Sequence, residues 1–112
     1  MKNILIIISA LFVVAGAAYA VKVYPNPWIP DSKGGSHGDY KGVNFDGLSN
    51  KGGTIYIHNA TGELVRKLSW PEGEISVKWN GRNDRGEYVA SGVYIWVVND
   101  GGTKSGKVVV IR

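Results

Sequence analysis

The chain has 112 residues, a formal net charge of +4 and no cysteine. This length allows one domain and is too short for an α/β barrel or for two full domains. The absence of cysteine excludes a disulfide framework, a thiolate metal site and a lipid anchor on cysteine. Basic and acidic residues are interspersed, so the small positive charge does not indicate a nucleic-acid-binding protein.

The first twenty residues are organised as an export signal. Lys2 precedes an apolar stretch over 4–18, which ends in the small-x-small motif Ala18-Tyr19-Ala20. This stretch is shorter than the ~20 residues of a bilayer-spanning helix, although an uncleaved anchor remains the alternative. We predict a cleavable signal peptide over 1–20 and a mature domain over 21–112. The product is then secreted or held at the cell surface, and only the transient signal peptide contacts the membrane.

The mature part shows a period of two residues in its apolar pattern, which is typical of β-strands. No window after residue 21 keeps a helical period for three turns, so no helix is available to cover a single sheet. We therefore predict an all-β antiparallel sandwich of about seven strands, with a flexible Gly-rich loop over 28–42. The predicted strands are Val21–Tyr24, Val43–Asp46, Ile55–His58, Glu63–Leu68, Ile75–Asn80, Val93–Val98 and Lys104–Arg112.

Four segments resemble motifs of a known family of bacterial domains. They are Val23–Pro27, Ile55–Val65, Trp79–Tyr94 and Gly106–Arg112. Together they resemble the immunoglobulin-like domain of the flagellar hook-capping protein and the C-terminal sorting domains of type IX secretion cargo. The block from Trp79 to Tyr94 is the most specific of the four. We call the residues that carry the resemblance the signature residues, and they are Pro25, Asn26, Pro27, Gly62, Trp79, Gly81, Asp84, Gly86, Ser91, Gly92, Tyr94, Gly106 and Lys107.

The resemblance implies an immunoglobulin-like sandwich and a non-catalytic role in cell-surface sorting, docking or assembly. Its implied partners are secretion or cell-surface machinery, or copies of the chain itself. The last strand, Lys104–Arg112, is terminal and amphipathic. It is therefore the candidate for recognition by export machinery or for pairing with a neighbour. A self-assembling subunit of an extracellular filament, in which the first strand Val21–Pro25 or the last strand completes a neighbour, is an alternative function.

The tryptophans are the most informative side chains of the mature part. Trp79 is expected in the core, because it shares a strand face with Ile75 and Val77. An exposed aromatic set stacks on sugar rings or is buried in a partner. Core packing, a protein interface and a carbohydrate platform all remain open, and the last makes a small carbohydrate-binding module a further alternative. The candidates for partner binding are Trp28, Trp70 and Trp96.

The pattern of reactive residues does not indicate an enzyme. Ser91 lacks the strand–turn–helix context of a nucleophile elbow, and neither His37 nor His58 has partners at a useful spacing. The oxygen-rich segment Asn80–Glu87 is interpreted as a structural turn in preference to a cation site, because two arginines interrupt it. We predict no catalytic residues, no cofactor and no metal.

Overall fold

A computed structural model describes residues 20–30 and 41–112. In those ranges the chain forms seven β-strands arranged in two antiparallel sheets, which confirms the predicted fold class. No helix in those ranges is long and apolar enough to cross a bilayer. The predicted signal peptide lies outside the described residues except for Ala20. The strands are β1 (Lys22–Tyr24), β2 (Val43–Asp46), β3 (Gly53–His58), β4 (Leu64–Trp70), β5 (Ser76–Trp79), β6 (Gly92–Asn99) and β7 (Thr103–Val110).

The strands are divided between a smaller and a larger sheet. The smaller sheet has the order β1-β2-β5, and the larger sheet has the order β4-β3-β6-β7. Hairpins connect β3 to β4 and β6 to β7, and the β3–β4 register shifts between Ile57 and His58. The strands β4 and β7 are therefore the edges of the larger sheet.

The core lies between the inner faces of the two sheets. Phe45 of the smaller sheet meets Trp96 of the larger sheet edge to face, with ring centroids 5.8 Å apart. Trp79 and Tyr94 form a second such contact at 5.5 Å. Each contact adds about 0.5–1.5 kcal/mol to the burial of its rings. The most deeply buried side chains are Trp79, Phe45, Ile55, Ile57, Val43, Val98, Val108 and Val110.

Two local expectations are wrong. Trp28 is buried, and its backbone forms a parallel bridge with Val110, so it does not belong to the flexible loop predicted over 28–42. Residues 31–40 of that loop lie outside the described residues. Ile75 is 56% exposed, because β5 begins only at Ser76, so Ile75 does not extend the buried face of Trp79.

Candidate interaction surface

The tryptophans proposed for partner binding are buried in the fold. Trp28, Trp70 and Trp96 are only 3%, 3% and 7% exposed. The Trp70 indole N–H donates to the Ser49 carbonyl at 2.8 Å, and the Trp28 ring packs against Trp79 at a centroid distance of 6.3 Å. Stacking on a sugar requires an indole face that is open to solvent. Of the three alternatives left open for these tryptophans, the structure therefore supports packing in the core.

Two glycines among the signature residues make room for these rings. A Cβ atom on Gly81 would lie 2.5 Å from the Trp28 ring, and one on Gly106 would lie 2.5 Å from the Trp96 ring. Real Cβ atoms do not approach carbon this closely. Gly81 also has φ +77°, a backbone conformation that favours glycine. The two glycines therefore act by admitting indoles to the core.

Asn26 substitutes for a strand residue at the edge of the larger sheet. Its carboxamide nitrogen donates to the Lys107 carbonyl at 3.0 Å, and its carboxamide oxygen accepts from the Val109 amide at 3.0 Å. Two residues later, the Trp28 amide donates to the Val109 carbonyl and the Trp28 carbonyl accepts from the Ile111 amide. This segment covers the C-terminal part of the β7 edge. A neighbouring strand could pair with that part only by displacing it.

Ser91 and Tyr94 tie the start of β6 to its surroundings. The Ser91 hydroxyl accepts from the Arg112 amide at 2.8 Å, and the Tyr94 hydroxyl donates to the Ala90 carbonyl at 2.7 Å. Burial raises the pKa of Tyr94. Gly92, between these two signature residues, is the first residue of β6. The structure thus gives Ser91 and Tyr94 roles in holding the fold.

Two loops of the sequence form N-x-x-G-E have the same structure. They are Asn59–Glu63 and Asn83–Glu87. In each, the asparagine oxygen accepts backbone N–H groups from the residues two and four positions later, and its nitrogen donates to the glutamate at 3.1 Å. The signature glycines Gly62 and Gly86 take positive φ angles in these loops. We call these segments the twin loops. The repeated sequence pattern N-x-x-G-E is the signal from which these loops could have been identified.

We expect the glutamates of the twin loops to make the stability of the fold depend on pH. Hydrogen bonds from Asn59 and Thr61 lower the pKa of Glu63, and Asn83 with Arg85 lowers that of Glu87. A carboxyl whose pKa is lower in the folded chain contributes stability above its unfolded pKa, about 4.3, and loses it as the pH falls through the folded pKa. We therefore expect the melting temperature to decrease as the pH is lowered from 6 to 3.

Thermal melts of three proteins across that pH range test this prediction. The double variant Glu63→Gln, Glu87→Gln should show a smaller decrease than the wild type. The control Glu72→Gln, at an exposed turn, should behave as the wild type does. The same pH profile in the wild type and the double variant would contradict the role assigned to the two carboxylates.

Asp84 connects one of the twin loops to the larger sheet. Its carboxylate accepts from the Lys67 amide at 3.2 Å and lies 3.7 Å from the Arg66 guanidinium, while its own amide donates to the Val65 carbonyl. This places Asp84 at a structural junction between the loop and β4. Within the described ranges, no group of three or more acidic, histidine or cysteine side chains is arranged to hold a metal ion.

An open cleft of about 420 Å³ lies between the twin loops. Leu64 and Val89 contribute apolar surface to it, and Glu63 and Asn83 lie at its polar rim. Both rim residues are hydrogen-bonded within their own loops. The cleft is therefore a concave surface whose polar rim groups already form hydrogen bonds within the fold.

The outer face of the larger sheet carries an apolar strip. Val93 lies opposite Val109, and Val97 lies opposite Tyr56. Ile95 lies between Val93 and Val97 on the same face of β6, because side chains alternate along a strand. Val93 is 39% exposed, and the other four residues are half-buried. We call these five residues, Tyr56, Val93, Ile95, Val97 and Val109, the outer strip.

Sequence reasoning did not identify the outer strip as a site. The run Val93–Val98 is apolar on both faces, so the pattern did not decide which face is inner. The structure turns Tyr94, Trp96 and Val98 inward. The residues Val93, Ile95 and Val97 of β6 therefore lie on the opposite, outward face.

Comparison with known proteins gives a family and structural neighbours among solved proteins. The sequence model of the FlgD Ig-like domain matches residues 41–104. A chain of PorZ, an essential bacterial surface component of the type IX secretion system of Porphyromonas gingivalis, is 34% identical with a TM-score of 0.63. That match covers 83% of the present chain and 12% of the PorZ chain.

The second neighbour, dimeric latent PorU of Porphyromonas gingivalis, shares the fold. It is 23% identical with a TM-score of 0.52, and the match covers 83% of the present chain and 9% of the PorU chain. No curated protein matches the chain. The present chain thus corresponds to only a small part of either large neighbour.

Proposed function

Because the chain belongs to the FlgD Ig-like domain family, we propose that it is an exported, non-catalytic docking module of the bacterial cell surface, associated with type IX secretion. The observation that carries this proposal is the 34% identity to a region of PorZ over most of the chain. In this proposal, the predicted signal peptide over 1–20 directs the export of the chain.

The roles of the signature residues support docking over catalysis. Asn26 and Ser91 bond to backbone groups, and Gly81 and Gly106 admit core rings. Such residues preserve a scaffold. A scaffold of this kind acts by presenting a surface, and the outer strip is one apolar surface that it presents.

The two alternative functions have less support. A carbohydrate platform built from Trp28, Trp70 and Trp96 lacks exposed rings. A filament joined through the last strand would compete with the Asn26–Trp28 segment for part of the β7 edge, whereas one joined through the first strand would use the edge strand β1. Docking of a partner on a sheet face requires neither exposed tryptophan rings nor an open strand edge.

Antibody labelling of intact cells tests the proposed location. We expect the protein to be labelled on the surface of its own bacterium and to be lost from the surface when type IX secretion is inactivated. Intact-mass measurement of the surface protein should show a chain that begins at Val21, as the predicted cleavage after Ala20 requires.

An inner-membrane marker and a surface protein exported by another route serve as controls. They show, respectively, that the cells are intact and that the mutant still exports other proteins. A protein that stays in the cytoplasm, or that reaches the surface equally well in the secretion mutant, would contradict the proposal.

A further inference from the structure

The two outer faces of the sandwich differ in chemistry. On the smaller sheet the outward positions are polar or charged, and the one aromatic among them, Tyr24, donates its hydroxyl proton to Asp46 at 2.6 Å. Such a face is typical of an antiparallel sheet in contact with water. The larger sheet instead has the outer strip on its outer face. The outward residues of the smaller sheet are Lys22, Tyr24, Asn44, Asp46, Ser76 and Lys78.

Lysines flank the outer strip on both sides. Lys67, on edge strand β4, lies opposite Tyr56, and its ammonium group is 5.9 Å from the Tyr56 ring centroid. Lys107, on edge strand β7, lies opposite Ile95. None of the outward positions on the described strands of this sheet carries Asp or Glu. The face therefore has an apolar centre and flanks of a single charge sign.

We propose that the outer strip docks a partner protein whose surface has an apolar centre and acidic side chains on both sides. This inference rests on the proposed docking function and names the face and the partner chemistry. Carboxylates on such a partner would meet Lys67 and Lys107 while its apolar centre covers Ile95 and Val97. Opposite charges around an apolar contact select the partner and set its orientation.

The shape of the face favours a protein over a lipid surface as the occupant. The strip consists mainly of β-branched side chains on a pleated sheet, and such faces are buried against another protein layer, either a sheet or a helix. A second copy of the present chain is a poor occupant, because its own strip has the same flanking lysines and no carboxylate on that face.

Two labelled synthetic helical peptides probe this chemistry. Both have one leucine face; the first has glutamates on both flanks of that face, and the second has lysines there. Fluorescence anisotropy with the purified full chain should show binding of the glutamate peptide about tenfold tighter than that of the lysine peptide. The preference should weaken at high salt.

Two double variants that reverse lysine charges show which face of the sandwich binds the peptides. The double variant Lys67→Glu, Lys107→Glu should reverse the preference between the two peptides. The matched control Lys22→Glu, Lys78→Glu changes the net charge equally but lies on the outer face of the smaller sheet. It should keep the wild-type preference. All four positions are at strand surfaces, and circular dichroism checks that each variant folds.

Three results would overturn the inference. They are equal binding of both peptides, an equal response of the two double variants, and binding of phosphatidylglycerol vesicles but of neither peptide. The last would assign the face to an anionic lipid surface. Because these assays use purified protein, their outcome is independent of the surface labelling that tests the proposed function.

Discussion

Replacing Trp79 by alanine is expected to lower the free energy of unfolding by about 3–5 kcal/mol. The indole is completely buried, contacts Trp28 and Tyr94, and donates its N–H to the Arg82 carbonyl at 2.9 Å. The variant therefore leaves a cavity and an unpaired carbonyl acceptor. Domains of this size are stabilised by only about 5–15 kcal/mol, so Trp79→Ala should fold poorly at 37 °C.

Urea denaturation followed by circular dichroism measures this loss. The matched control is Ile75→Ala, which removes a large apolar side chain just before β5 that is 56% exposed. It should change stability by no more than about 0.5 kcal/mol. Similar losses in both variants would contradict the placement of the core at Trp79.

Gly81→Ala should destabilise the protein by about 1–3 kcal/mol more than Gly86→Ala does. Both glycines have positive φ, +77° and +83°, so both variants incur a similar backbone strain. Only the new methyl group at position 81 meets another group, the Trp28 ring at 2.5 Å, whereas nothing lies within 4 Å at position 86. The difference therefore isolates the close contact between Gly81 and Trp28.

The same denaturation assay compares the two alanine variants. In the background of Trp28→Ala the ring is absent, and the two glycine substitutions should then cost nearly the same. If Gly81→Ala remains the more destabilising substitution in that background, the contact with Trp28 is not the reason for the glycine.

The alternation of apolar residues was sufficient to predict the seven strands and the sandwich, because each strand buries one face. In β5, for example, Val77 and Trp79 point inward and Lys78 points outward. The same rule did not predict the orientation of β6. Its side chains are apolar on both faces of the strand, and packing against Phe45 of the other sheet is what identifies Trp96 as an inner residue.

Long-range contacts also escaped the sequence analysis. Asn26 bonds to the backbone of β7 more than eighty positions away, and Trp28 is buried by that same strand and by Gly81. No local pattern marks such partners. The family motif identified these residues without explaining them, and the interpretation of Trp28 as the start of a loop followed from local composition alone.

The most direct test of the account combines surface location with the docking face. The chain has no cysteine, so a single introduced thiol reports on one position. Ser76→Cys places it on the outer face of the smaller sheet, and Val93→Cys places it in the outer strip. We predict that a membrane-impermeant maleimide labels both variants when purified, but only Ser76→Cys on intact cells. Equal labelling of both on cells, or labelling of neither, would contradict the account.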